Sequence, residues 1–179
     1  MILVLSLICC ACRKDPQAPI NPRVDDNNDT ITPTPMPGDV QSLPYYQSFA
    51  NDFGTYITKD VTGDLSWMID YNTAKMTGYA SSTNNANEDW LISSPVDLTG
   101  VNDAKMTMSY IGRYFNNINE DVTIWASMDY IYGDEPYSAT WTQVPATLTE
   151  GSNWSTFLTA EIALTDYVGQ TVTFAVKYL

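Results

Sequence analysis

Asn87-Glu88-Asp89-Trp90-Leu91-Ile92-Ser93-Ser94-Pro95-Val96-Asp97-Leu98 is the stretch that decides the fold. Two acids introduce three consecutive apolar residues, Trp90, Leu91 and Ile92, and Pro95 stops the run. An apolar segment this short, closed by a residue with no backbone N–H to donate, reads as a buried strand. Working outward, residues 104–110 alternate, with Met106, Met108 and Tyr110 on one face and Lys105, Thr107 and Ser109 on the other. Residues 121–127 set Val122, Ile124 and Ala126 against Thr123, Trp125 and Ser127. Residues 171–178 set Val172, Phe174, Val176 and Tyr178 against Thr171, Thr173, Ala175 and Lys177. Period two with one polar face marks a half-buried antiparallel strand.

Weaker strand patterns cover 56–59, 67–70, 75–79, 90–93, 140–144 and 155–164. Turn-forming clusters separate them, among them Thr62-Gly63-Asp64, residues 81–87, Gly100-Val101-Asn102-Asp103 and Gly133-Asp134. No segment after Leu43 keeps a helical apolar period for three turns. About nine short strands so spaced predict an all-β fold, a two-sheet antiparallel jelly-roll sandwich.

Composition narrows the function. The chain has 179 residues, 21 of them acidic and 8 basic, for a net charge of -13. Such a surface repels phosphate backbones and anionic lipid, so nucleic acid is not an expected partner. Histidine is absent, which removes Ser-His-Asp and Cys-His catalysis and every histidine metal ligand. Cys9, Cys10 and Cys12 are the only cysteines, so the rest of the chain has neither a thiol nucleophile nor a disulfide. Glu120 and Asp121 would point to opposite faces of a strand and make a poor pair for glycoside hydrolysis. The expectation is a protein without catalytic activity.

Residues 1–12 read as an address. Ile2 to Ile8 is apolar apart from Ser6 and runs into Cys9-Cys10-Ala11-Cys12. It is too short to span a bilayer, which takes about 20 apolar residues, and fits the apolar part of a secretory leader. It is similar to a bacterial lipoprotein signal, with Cys12 after the small Ala11 as the expected lipidated residue and Cys10 second. The basic residues that usually open such a leader are missing, which places the natural start upstream.

Residues 13–43 read as a disordered tether, with Pro16, Pro19, Pro22, Pro33, Pro35 and Pro37 among Asp, Asn and Thr. Too little apolar surface is present there to offset the entropy of ordering it. Asp29-Thr30-Ile31 within it is similar to an O-glycosylation acceptor. Residues 44–179 then form the β domain.

That domain resembles the choice-of-anchor J domain of bacterial surface lipoproteins, a group related to the cleaved-adhesin domains of gingipain-type proteins. The resemblance rests on Phe49, Gly63 with Trp67, Gly78-Tyr79, the Asn87–Leu98 segment and Ala126-Ser127-Met128-Asp129-Tyr130. Ala139-Thr140-Trp141-Thr142, Trp154, Tyr167-Val168-Gly169-Gln170 and Phe174-Ala175-Val176-Lys177-Tyr178 complete it. Pro95 sits one position late for the family's pattern. Relatives continue past a strand like 171–178 to another, so either the chain is a fragment or the sandwich has an open edge, which favours aggregation.

The resemblance implies a galactose-binding-like jelly roll on the outer membrane or cell surface of a Gram-negative bacterium. It implies adhesion or capture of carbohydrate or a glycoprotein, membrane contact only through the lipid anchor, and in some cases a structural calcium ion. The alternative is a structural module that assembles a surface complex and has no ligand pocket.

Two sets of residues are candidates for binding. Asp60, Asp64 and Asp70 surround a glycine-containing turn, and a hard cation such as calcium takes six to eight oxygens. Solvated acids in a turn are the plain alternative for these three; Glu88 and Asp89, beside Trp90, are candidates to join the site or equally to face water. Trp125, Tyr130, Tyr132 and Tyr137 crowd the Gly133-Asp134-Glu135-Pro136 turn, where rings could stack on sugars. The same tyrosines would serve equally to pack the sandwich edge.

Overall fold

A computed structural model describes the backbone of residues 2–14 and the whole of residues 36–179. Residues 15–35, which hold most of the expected tether and Asp29-Thr30-Ile31, lie outside the described residues, as does the Cys12 side chain. The described chain is nearly all β, with one short helix, α1 (Ile118–Asp121).

Two antiparallel sheets lie over one core. The first runs β12 (Leu158–Ala163), β9 (Val101–Arg113), β1 (Ile2–Lys14), β4 (Thr73–Thr77) and β3 (Met68–Asp70). The second runs β11 (Thr142–Val144), β10 (Val122–Ser127), β13 (Thr171–Tyr178), β7 (Glu88–Ser93) and β2 (Tyr56–Thr62), with β8 (Val96–Asp97) also on β13. A small hairpin of β5 (Tyr79–Ala80) and β6 (Thr83–Asn84) stands apart.

Alternation in the sequence becomes burial in the fold. Met106, Met108 and Tyr110 face inward from one sheet, and Ile124, Leu91, Phe174 and Val176 meet them from the other. Pairing fixes register: Val176 stands opposite Leu91 and Ile124, so three strands turn the same parity inward. A slip of one residue would send every one of those side chains to the other face. Both faces of β7 are covered, as they are in the middle of neighbouring β13, where Ala175 joins the outer cluster. Leu91 joins the main core, while Trp90 and Ile92 belong to a second cluster on the outer face.

Ordered packing starts ahead of Pro44. Gln41 is buried and forms a parallel bridge to Val96. Its N–H donates to Pro95 O at 2.7 Å, its carbonyl accepts from Asp97 N at 2.9 Å, and Gly38 N donates to Ser94 Oγ at 2.8 Å.

Ile2–Lys14 occupies the middle of the first sheet. It pairs with β9 from Ile2 opposite Arg113 to Lys14 opposite Val101, and with β4 from Ile2 opposite Thr77 to Leu5 opposite Ala74. β4 and β9 are joined through it. The residues that leader processing would remove are thus those that link the β3–β4 hairpin to the rest of its sheet. In a chain shortened to begin at Met36, the β4 amides facing β1 are expected to lose protection from hydrogen exchange. The amides of Leu91, Ile92 and Val176 should keep theirs, and the freed β9 edge should promote self-association. Unchanged protection across Thr73–Thr77 would show that the hairpin does not depend on β1.

Candidate functional site

The aromatic residues picked out near Gly133 divide. Trp125 projects from the outer face of β10, and Tyr130 and Tyr137 fold back onto the same face from the following loop. Trp90 and Trp141 join them, with ring centroids 5.2 Å apart; Trp90 lies 6.0 Å from Trp125 and Tyr130 5.2 Å from Trp141. Tyr132 sits elsewhere, against Gly38, with its hydroxyl 3.4 Å from Thr55 O.

The cluster already contains its cation. Lys177 Nζ lies 5.3 Å from the Trp90 ring, 5.9 Å from Tyr137 and 6.0 Å from Trp125, and is 3.2 Å from Glu88 Oε1. Glu88 also accepts from Trp90 Nε1 at 2.9 Å and from the Tyr137 hydroxyl. Burial alone would raise its pKa, but the bonds from Tyr137, Trp90 and Lys177 prevail and hold it below the usual range. Tyr130 is buried, donates to Asp134 O at 2.6 Å, and has its pKa pushed up to about 12, chiefly by burial. An ammonium enclosed by ring faces is a satisfied cation–π arrangement. This surface is therefore closed by the chain's own Lys177, although Tyr137 is 65 % exposed at its rim. Lys177 stands opposite Trp90 in the β13–β7 register, a pairing that no single strand's sequence reveals.

The acids divide as well. Asp70 pairs with Lys75 at 2.5 Å on the other sheet, and Asp64 is exposed in its turn. Asp60 stands directly opposite Asp89 across β2 and β7. Like charges in that position are destabilising. Asp89 is 0 % exposed, and neither of its carboxylate oxygens has a hydrogen-bond partner; buried Asn87 Oδ1 is likewise without one. Burial, then the Asp60 carboxylate, push the Asp89 pKa up to about 8, with Asn87 working in the opposite direction. Gly63 makes the close approach possible. Its φ is +96°, and a Cβ there would stand 1.7 Å from Asn87 Oδ1.

Among the described residues no three His, Cys, Asp or Glu side chains converge as a metal site. A cation would have to be held by Asp60, Asp89, the Asn87 amide oxygen and backbone carbonyls. That donor set suits calcium: all oxygen, with two carboxylates to balance its charge. Its orphaned buried oxygens are what such an ion would satisfy.

A third feature comes from residues far apart in sequence. A cavity of about 280 Å³ on the outer face of the first sheet is lined by Asp70, Tyr71, Thr73, Lys75, Ile111, Trp154 and Phe157. Lys75 and Asp70 form its ion pair, and Trp154 and Phe157 stand over Ile111 from the loop before β12. Tyr71 and Asn72 make the tight β3–β4 turn with φ of 49° and 60°, values that favour Asn-Gly in this kind of hairpin. Tyr71 instead puts a ring there, 91 % exposed. Tyr114, also exposed, has φ of 67° and contacts Trp154 at 6.0 Å. A bulky residue in the left-handed region costs of order 1–3 kcal/mol and tends to mark functional positions.

Asp89 gives a sharp pH signature, since the chain has no histidine to titrate between pH 5 and 8. Its pKa is raised from 3.8 to about 8, so the folded state holds a proton that the unfolded chain releases. The associated stability is complete below the lower value and is lost as pH rises through the upper one. With chelator present, the melting temperature should fall between pH 5 and 8, and Asp89→Asn should flatten that fall. Calcium should raise the melting temperature of the wild-type protein at pH 8. A calcium-insensitive melt at pH 8 would remove the ion from this site. Comparison with known protein families, curated proteins and solved structures finds no match to the chain, so these three sites are read from their geometry.

Proposed function

We propose that this protein is a non-catalytic surface module that captures carbohydrate, free or on a glycoprotein, through the cavity bounded by Tyr71, Trp154 and Phe157. The observation that carries the reading is the Tyr71 turn. The fold keeps an aromatic ring in a strained and almost fully exposed position at the mouth of a cavity that also offers an ion pair. Rings that stack on the apolar faces of sugars, beside polar groups that meet their hydroxyls, form a general recognition surface for carbohydrate.

In this reading residues 44–179 are a galactose-binding-like jelly roll of the choice-of-anchor J kind. The antiparallel sheets and shared core support that finer assignment. Lipid on Cys12 would hold the protein at the outer membrane or cell surface. Cleavage ahead of it would remove most of β1, the strand that joins β4 to β9 beneath the cavity, so capture through this cavity belongs to the chain that keeps β1. Calcium at Asp60, Asn87 and Asp89 would brace β2 against β7. The rival reading is an assembly module without a sugar ligand. It draws support from the inward packing of Tyr130 and the filling of the Trp90 cluster by Lys177.

Substitution separates fold from function at the Tyr71 turn. Tyr71→Asn should raise stability by about 1 kcal/mol, because asparagine tolerates the left-handed region, and should weaken glycan binding. Trp154→Ala should abolish binding on a glycan array while leaving a cooperative melt. If every array glycan is ignored by folded wild-type protein, the assembly reading replaces this one. Cys12→Ala should abolish incorporation of labelled fatty acid and release the protein from the membrane fraction; unchanged fractionation would end the proposal of a lipid anchor there.

A further inference from the structure

Five basic residues fall within residues 36–179, and four of them are neutralised. Lys59 pairs with Glu135, Lys75 with Asp70, Lys105 with Glu161 and Lys177 with Glu88. Arg113 is the exception. Among the described residues no carboxylate pairs with its guanidinium, which lies 4.8 Å from the Tyr114 ring and 5.0 Å from the Trp154 ring. In a chain of net charge -13, a partly buried arginine left without an acid is a departure from the pattern of the rest.

The fold does bring an acid to this turn, but uses it otherwise. Glu150 accepts from Phe115 N at 2.6 Å and from Tyr114 N at 3.3 Å. Those bonds support the backbone just after Arg113, including the left-handed Tyr114, and commit the carboxylate to N–H groups. Stacking against rings engages the faces of a guanidinium and leaves its N–H edge able to donate. That edge is a planar fork matched to the two oxygens of a carboxylate. Trp154 is shared: it stacks with Arg113 and lines the cavity.

We infer that Arg113 is a carboxylate receptor at the rim of the Trp154 cavity, and that the carbohydrate captured there carries a uronic or other acidic sugar. The inference rests on the carbohydrate reading and adds the charge of the ligand to it. Trp154 and Tyr71 would supply stacking for the ring of the sugar, and Arg113 a bidentate contact to its acid group. The remainder of the surface, being acidic, would repel anionic glycans that fail to engage this one fork.

The test uses the full chain on an array of uronate oligosaccharides, each printed beside its methyl ester, with sulfated neutral sugars as a third set. Uronates should bind at least about tenfold more tightly than their esters, the worth of a charged hydrogen-bonded contact. The preference should weaken as salt rises. Arg113→Gln should bring the uronates down to the level of the esters, Arg113→Lys should recover only part of the preference, and Trp154→Ala should lose both. Thermal melts of the variants confirm that they fold. Equal binding of acid and ester, or a preference that survives Arg113→Gln, overturns the acidic-sugar assignment and leaves carbohydrate capture standing. Preference for the sulfated set over the uronates overturns the carboxylate. Silence across all three sets from folded protein overturns the carbohydrate reading together with this one.

Discussion

Burial of β7 on both faces is the constraint from which the rest of the molecule follows. A central strand of Trp90, Leu91 and Ile92 cannot leave either side to water at reasonable cost. Leu91 is covered by the opposing sheet. Trp90 and Ile92 point away from that sheet, so a second cover is needed, and the loop after β10 supplies it with Tyr130, Tyr137 and Trp141. Lys177 completes the cover from β13, with Glu88 balancing its charge. β7 is therefore sealed on both faces, and among the described residues an aromatic-lined cavity lies over the outer face of the other sheet.

The same strand explains the buried acid. Leu91 must face the core, so Asp89, two residues earlier, faces inward too. The β2 register then brings Asp60 opposite. In an ordinary sheet this pairing would be a fault; here Asn87 packs beside the two acids and closely against Gly63, where a Cβ would clash with it.

Strands were legible in the sequence wherever one face is polar. β9 and β10 follow from alternation, because burial alternates along them; β13 alternates in sequence too, but Thr173 and Ala175 on its more polar face are buried rather than solvated. The β5–β6 hairpin was read as a plain turn, since Ser81 and Ser82 adopt left-handed backbone without the glycine that usually signals it. Residues 2–8 read as the apolar part of a leader from their length and the cysteines that follow, and the same residues fall within β1. Asp60, Asp64 and Asp70 are grouped in the sequence by the glycine-containing turn they surround. Which acids meet is set by pairing between strands, and that pairing placed Asp70 on the other sheet beside Lys75. The Trp154 cavity gave no local signal. It is assembled from the β3–β4 turn, the end of β9 and the loop before β12, each unremarkable alone.

The joint at Gly38 and Gln41 has a mechanical meaning. Gln41 lies parallel to Val96 and bonds on both sides of it, to Pro95 O and Asp97 N, while Gly38 is fastened to Ser94. Tension arriving along the chain from before Met36 therefore runs along this bridge, loading its bonds together in shear rather than opening them in succession. They lead into the β7–β8 corner, next to a strand buried on both faces. A pull applied at Met36 would thus load the β7–β8 corner through this bridge, in shear and over a short span.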